Sequence, residues 1–443
     1  MTAKFLTKSI LYSLVFSVTA GSFILIRNQP ILLAAIIPAF WLFDLFAVFF
    51  SLKTDKRRIK VSYHGAILLT AFCISVVLSV IYHAVLAFYT IPHDYMSLVW
   101  SGLYAVLVNA LVFWTGIICV YLCSNQLGLR LRVIGIVCSM IPIANLIALY
   151  FIIRTTVKEA EFEIGKDKQN ELRKDQRLCA TRYPILLVHG VFFRDFKYFN
   201  YWGRIPKELE VNGASVYYGN HQSARPVADS ALEIAQRIKE ILKETGAEKV
   251  NIIAHSKGGL DCRCAIASTD IAPYVASLTT VNTPHRGCLF ADYLLKHISS
   301  SVKDKVASTY NSALKKLGDK DPDFLAAVND LTASSCKKFN ETTGAPPDHI
   351  FCQSVGSVLK KASGGKFPLN FSYLLVKLFD GANDGLVSAS SFEWGEKYTL
   401  LEPRHKEGIS HGDIIDLNRI NLPDFDVREF YVTLVNDLKN RGY

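Results

Sequence analysis

Val250-Asn-Ile-Ile-Ala-His-Ser-Lys-Gly-Gly259 decides the reading of this 443-residue chain. An apolar run of strand character leads into Ser256, and the positions two residues before and after that serine are Ala254 and Gly258. Both are small enough to let the backbone turn sharply from strand to helix with the hydroxyl held at the tip. Alanine in place of the first glycine of a G-x-S-x-G pattern adds one methyl, and Gly259 lets the following helix pack close to the sheet. Small residues around a serine also mark ordinary tight turns, so the weight of the reading falls on what accompanies them.

Upstream, Tyr183-Pro-Ile-Leu-Leu-Val-His-Gly-Val191 is a second apolar strand, too short for a helix, that ends in His-Gly. The N–H just beyond such a strand and the N–H after the nucleophile are suited to binding an oxyanion, which selects Val191 and Lys257 as main-chain donors. His189 marks the strand and is not read as a base. Downstream, Gly381-Ala-Asn-Asp-Gly-Leu-Val-Ser388 follows the apolar run Tyr373 to Phe379 and presents Asp384 in a glycine-flanked loop. His411 lies in Ile409-Ser-His-Gly-Asp413. Taken singly, Asp384 reads equally well as part of a turn and His411 as a loop histidine. Taken together, the order Ser256, Asp384, His411 is one of the known orders of a serine triad and differs from those of the chymotrypsin-like and subtilisin-like proteases. His405 is the weaker base candidate, because Pro403-Arg-His-Lys-Glu407 is charged and loop-like, whereas His411 precedes the apolar pair Ile414-Ile415.

From about Tyr183 onward the chain resembles the secreted bacterial triacylglycerol lipases of the pseudomonad type, within the α/β-hydrolase fold. The residues that carry the resemblance are Tyr183 to Gly190, Val250 to Gly259, Val281-Asn-Thr-Pro-His-Arg-Gly287, Asn383 to Ser388 and His411-Gly-Asp413. The resemblance implies Ser256 as nucleophile, His411 as base and Asp384 as its orienting acid. It also implies a calcium ion near the histidine. Asp413 is the one matching carboxylate, while residues 351–378, where its partner belongs, contain no acidic residue. The expectation is therefore a site that requires no cofactor, with Asp413 as the calcium candidate.

After Gly287, the residues Phe290, Leu294, Ile298, Val302, Val306, Tyr310 and Leu314 recur every four positions, a helical stripe with Lys296, Lys303, Lys305, Lys315 and Lys316 off it. An ordinary packed helix pair gives the same pattern. Its position favours a lid over an acyl cleft that opens against a membrane surface.

The front of the chain belongs to another solvent. Ser9–Ile26, Ile31–Leu52, Ala66–Tyr89, Leu98–Cys123 and Val133–Ile153 are apolar stretches long enough to cross a ~30 Å hydrocarbon layer as helix. The first also has the look of a signal peptide. Lys53, Lys56, Arg57, Arg58 and Lys60 cluster in one loop and Arg130 and Arg132 in another, while Thr90 to Tyr95 carries no Lys or Arg. The positive-inside rule then puts the N-terminus in the cytoplasm, and five crossings put the C-terminal domain outside the cell membrane. Residues 1–160 hold 12 Lys/Arg against 4 Asp/Glu, +8 of the formal +10. The basic charge thus follows membrane topology and not a nucleic-acid footprint. Within the spans Asp44 and His83 are ionisable and are candidates to pair.

The expected organisation is an α-helical membrane bundle of about five spans at 1–154, a charged linker at 155–182, and an α/β-hydrolase domain with a mostly parallel sheet and an amphipathic lid at 183–443. Ile234, Ile238 and Ile241 before Gly246 supply a helix between two strands, as a parallel sheet needs. The ten cysteines show no zinc-type spacing. The implied function is membrane-anchored hydrolysis of long-chain acyl esters of lipids, with the lipid ester and the bilayer as partners and no nucleic acid. A phospholipase or an acyltransferase would use the same triad, and a catalytically silent lipid-binding protein is the alternative of a different class.

Overall fold

The computed structural model describes residues 2–90, 94–141, 143–191, 200–316 and 318–443. The chain divides into two compact units, Met1–Leu172 and Arg173–Tyr443.

In the first unit the long helices Arg57–Thr90 and Tyr95–Cys123 pack closely. Glycine permits the contact: a Cβ on Gly65 would lie 2.7 Å from the Gly116 carbonyl oxygen, so the backbones approach as small-residue crossings in membranes do. Among the described residues these two helices are long and apolar enough to cross a bilayer. The expectation of five single-helix spans is corrected at three places. Ser9–Ile26 falls on two helices, Ala3–Gly21 and Phe23–Asn28, that meet at Ser22. Ile31–Leu52 is divided into the helix Leu33–Trp41, which contains Pro38, a π-helical turn Leu42–Phe46 and the short helix Val48–Ser51. Val133–Ile153 is divided by a turn between the helices Gly128–Cys138 and Ala144–Leu172. The odd number of crossings, on which the placement outside rested, loses its basis. Residues 155–172, the first part of the charged linker, are helical and continue the second of these helices. Residues 91–93 of the loop without Lys or Arg lie outside the described residues. Asp44 and His83 do not pair. Asp44 accepts from the Thr115 hydroxyl at 2.9 Å, and His83 bonds the Ser79 carbonyl and the Ser101 hydroxyl at 2.8 and 3.0 Å.

The second unit is built on six parallel strands in the order β2-β1-β3-β4-β5-β6, with β1 at Ile185–Val188, β2 at Val216–Tyr218, β3 at Val250–His255, β4 at Val275–Val281, β5 at Phe351–Ser357 and β6 at Lys397–Leu401. β1, β3, β4 and β5 are buried along their whole length, which is why they read as continuous apolar runs and not as alternating ones. The pleat divides them between two layers. Ile185, Leu187 and Ile253 face a cluster with Trp202, Tyr431 and Val435, and Leu186, Val188 and Ile252 face Ile234, Ile238, Ile241 and Cys262. Each large aliphatic side chain so buried contributes about 1.5–3 kcal/mol. The helix Val227–Thr245 ends where Gly246 adopts φ +69°, a left-handed cap that glycine enters without a Cβ penalty. This helix and Lys257–Ser268 flank β3, so the nucleophile candidate stands at the carboxyl end of a central strand.

Candidate active site

Ser256 lies between β3 and the helix Lys257–Ser268 with φ +55° and ψ −131°, a region that non-glycine residues avoid. The neighbours leave no space for side chains. A Cβ on Gly258 would lie 2.4 Å from the His189 carbonyl oxygen, and one on Gly259 would lie 2.2 Å from Thr283 Oγ1. The glycines are thus explained by contact with β1 and with the loop after β4.

The segment after β1 is fastened to the residue before the serine. The Gly190 N–H donates to the Tyr201 hydroxyl at 3.2 Å, and that hydroxyl lies 2.6 Å from His255 Nδ1. With its oxygen accepting from Gly190, the Tyr201 hydroxyl is placed to donate to the imidazole. Burial, then the neighbouring His411, hold His255 well below its ordinary pKa, so it stays neutral and accepts. Val191 and Ser256 line the same cavity. Residues 192–199, which follow Val191, lie outside the described residues.

Asp384 and His411, 27 positions apart, meet at 2.6 Å between Oδ2 and Nδ1. Asp384 is fully buried and also accepts from Asn282 Nδ2 at 2.6 Å and from the N–H groups of Leu386 and Val387 at 2.9 and 2.8 Å. Its own carbonyl accepts the His411 N–H at 2.9 Å, so main chain and side chain hold the pair together. The His411 ring packs 4.4 Å, centroid to centroid, from His255, one residue before Ser256. No hydrogen bond joins the Ser256 hydroxyl to His411 among the described residues. Such bonds commonly tighten only when substrate is present. His405 bonds the Gly408 carbonyl at 2.9 Å within its own loop.

A cavity of about 340 Å³ opens onto Ser256. Phe290, Leu294, Ile298, Val302 and Val306 of the apolar stripe line one part of it, and Val376 and Val387 another. The stripe is two helices, Leu289–His297 and Ser300–Lys316, and not one. Tyr373 to Phe379, the apolar run before Asp384, belongs to the helix Leu369–Asp380, whose last residue accepts the N–H groups of Leu289 and Phe290 at 3.1 Å each. That carboxylate caps the first stripe helix from outside its own sequence.

Asp413, the calcium candidate, is engaged within its own turn. Asp413 Oδ2 accepts the Ser410 hydroxyl at 2.6 Å and the Ser410 N–H at 3.2 Å, closing the turn that carries His411. Among the described residues no three His, Cys, Asp or Glu side chains are grouped together.

Three contributors, Asn282, Tyr201 and Asp261, and the side-chain role of Lys257 were not singled out in the sequence. Asn282 lies in the quoted Val281–Gly287 stretch, yet its target is 102 positions on. Tyr201 carries no local signal. The Lys257 side chain is buried behind the elbow, where Nζ donates to Asp261 Oδ1 at 2.6 Å and to Ser230 Oγ at 3.0 Å. Burial raises the Asp261 carboxyl to about 7 against the opposing pull of Lys257.

A parallel sheet with a serine at a strand-to-helix elbow, and an Asp–His pair on later loops, is the α/β-hydrolase architecture. The chain is 30% identical over 248 residues to a triacylglycerol lipase of Vibrio cholerae, covering 50% of this chain and 77% of that protein. It is 38% identical over 176 residues to a triacylglycerol lipase of Pseudarthrobacter phenanthrenivorans, covering 37% of this chain and 54% of that one. The chain belongs to the triacylglycerol lipase family. It spans about half the length of the first curated relatives it matches. No family model matches it. Among solved structures, the mature form of Bacillus licheniformis lipase BlEst2 superposes with a TM-score of 0.43 at 24% identity, over 58% of this chain and 92% of that chain, an overlap too loose to speak to site or substrate.

Proposed function

We propose that the protein is a membrane-anchored serine ester hydrolase that cleaves long-chain acyl esters of lipids through an acyl-enzyme. Ser256 attacks the ester carbonyl while His411 takes its proton, and Asp384 holds the imidazole with Nδ1–H toward the carboxylate. The main-chain N–H groups of Val191 and Lys257 stabilise the tetrahedral oxyanion. His411 returns the proton to the leaving alcohol, and water, deprotonated by His411 in turn, releases the fatty acid and restores the serine.

The single observation that carries the reading is the apolar cavity of about 340 Å³ with Ser256 in its wall. An acyl chain is what such a lining excludes water to hold. A polar small ester gains nothing from it. The face around the mouth fits a lipid surface, because Phe371, Leu374 and Leu378 project from the helix Leu369–Asp380 at 72%, 57% and 80% exposure. The apolar helices of the first unit supply the anchor.

The test is hydrolysis of a chain-length series of p-nitrophenyl esters by detergent-solubilised wild type and Ser256→Ala side by side. Activity that rises with acyl length and vanishes in the variant is expected. Equal background rates on these esters and on phospholipid would leave a lipid-binding protein without catalysis. Activity only with an acceptor alcohol would make it an acyltransferase.

A further inference from the structure

The first unit has two ends that differ in charge. At one end Lys8 Nζ donates to the carbonyls of Phe50 and Ser51 at 3.1 and 2.6 Å, and Arg58 donates to the Cys123 carbonyl at 2.5 Å. The beginnings of the helices Ala3–Gly21 and Arg57–Thr90 and the end of Tyr95–Cys123 therefore share it. At the other end Arg27 pairs with Asp94 at 3.4 Å and bonds the Ser97 hydroxyl. Arg27 is the one Lys or Arg of residues 22–32 and 90–97, whereas Lys53, Lys56, Arg57, Arg58, Lys60 and Arg130 all lie near the first end.

The polypeptide leaves this unit by the basic end. Glu159, on the helix Ala144–Leu172, accepts from Arg58 Nη1 and from the Ser124 hydroxyl at 2.6 Å each. One turn on, Glu163 binds Lys56 at 2.6 Å, and Asp167 binds it at 2.7 Å. The preceding helix, Gly128–Cys138, starts from this same end and does not reach the other. Its 11 residues rise only about 16 Å, against ~30 Å of hydrocarbon. Its contacts agree: Tyr121 bonds the Arg132 carbonyl at 3.2 Å, and Ser139 and Asn145, on either side of the turn, share a cavity wall with Phe72 and Trp114. Trp114 lies nine residues before Cys123, about 13 Å along its helix. Around the break three N–H donors are paired, Ile141 to Cys138, Asn145 to Ile141 and Ile147 to Ile143, each at 3.0 Å, as apolar surroundings favour.

We propose that Gly128–Cys138 and the first half of Ala144–Leu172 form a hairpin that enters the membrane and returns to the basic side, so that the catalytic unit faces the cytoplasm and takes acyl esters from the cytoplasmic leaflet. The rule that places Lys/Arg-rich loops inside assigns the basic end to the cytoplasm, and the chain leaves for Arg173 from that end. The choice of substrate rests on the ester-hydrolase reading above. The sidedness does not.

The test places an epitope after Tyr443, or after Asp55 or Gln29, in the full-length protein in sealed right-side-out membrane vesicles treated with external protease. The expected pattern is loss of the Gln29 epitope from intact vesicles, with the Asp55 and Tyr443 epitopes lost only after detergent. Loss of the Tyr443 epitope from intact vesicles, with or without that at Asp55, overturns the proposal, as does protection of the Gln29 epitope. An insertion at Gln29 that misfolds leaves the Tyr443 comparison decisive, since no helix is interrupted there. Protease protection reads the same whether or not the enzyme turns over, so a catalytically silent protein and a misplaced one are told apart.

Discussion

The Tyr201 hydroxyl stands 2.6 Å from His255 Nδ1, across 54 positions of sequence, while accepting the Gly190 N–H at 3.2 Å. One phenol thus ties the loop that follows β1 to the strand that delivers Ser256. Tyr201→Phe removes the bridge and leaves a buried N–H and a buried imidazole nitrogen unpaired, at about 1–3 kcal/mol each. If part of that is felt as misplacement of the Val191 N–H, kcat falls about tenfold with KM nearly unchanged, 1.4 kcal/mol being a factor of ten. Steady-state kinetics on a long-chain ester, with circular dichroism to verify folding, measures it. An unchanged kcat in a folded variant would mean that the bridge is structural only.

Asp384→Asn keeps the shape of the side chain but offers His411 Nδ1 a group that no longer demands its proton. Because Asp384 also binds Asn282 and two backbone N–H groups, the loop should hold. We expect kcat to fall by about 10⁴ with little loss of stability, the size seen when a triad imidazole loses its correct tautomer. Thermal melting and kcat measured on one preparation separate the two effects.

Lys257 and Asp261 form an ion pair with both side chains 1% exposed. Removing the ammonium leaves a buried carboxyl that protonates and lacks its partner, so Lys257→Met should cost about 1–3 kcal/mol, whereas Lys257→Met with Asp261→Leu should recover most of it. Urea unfolding of the single and double variants is the measurement. The double variant should still hydrolyse ester, because the proposed oxyanion donor is the main-chain N–H of residue 257. Loss of activity from a stable double variant would instead assign a part in turnover to the ammonium.

Leu294 lies on the helix Leu289–His297 and lines the cavity beside Ser256. Leu294→Trp fills space that an acyl chain would occupy. The ratio of kcat/KM for a long-chain ester over a butyrate ester is expected to drop about tenfold, the upper range for a few methylenes excluded from an apolar pocket, while butyrate hydrolysis persists. A parallel loss on both esters would point to a disturbed fold or triad instead.

Two fully buried imidazoles weaken the fold in acid. Burial holds both His255 and His285 well below their ordinary range; His411 adds to this for His255, and Arg263 for His285. The unfolded chain binds a proton at each near pH 6.5 and the folded chain does not, so below that pH the unfolded state carries more protons. The stabilisation is complete above pH 6.5 and is lost as pH falls toward the depressed folded values. Asp261, raised to about 7, pulls the other way as pH falls, so the readout is the comparison with His285→Gln, whose melting temperature should fall less than that of the wild type between about pH 6.5 and 5.

Local chemistry was legible in the chain, because it acts over a few residues. The turn at Ser256 needs small neighbours, and Ala254, Gly258 and Gly259 announce it; β1 and β3, buried on both faces, appear as unbroken apolar runs; Gly246 marks a helix end. The apolar character of residues 9–153 was legible for the same reason, since hydropathy is a property of composition. What composition could not supply is where such a stretch bends. Val133–Ile153 averages as one span, yet helix stops at Cys138 and resumes at Ala144, and ion pairs from Lys56 and Arg58 to residues about 100 positions away set the end from which the chain leaves.

The sequence by itself determined that a serine is held at a strand-to-helix elbow, in a chain with lipase-type motifs behind an apolar front. Only the tertiary structure decided which groups support it: Asn282 on Asp384, Tyr201 between Gly190 and His255, Asp261 on Lys257, Asp380 at the head of the cavity helix. Each is a hydrogen bond between side chains or backbone brought together by packing. A buried polar group is satisfied by whatever the fold sets beside it, not by what stands next to it in sequence.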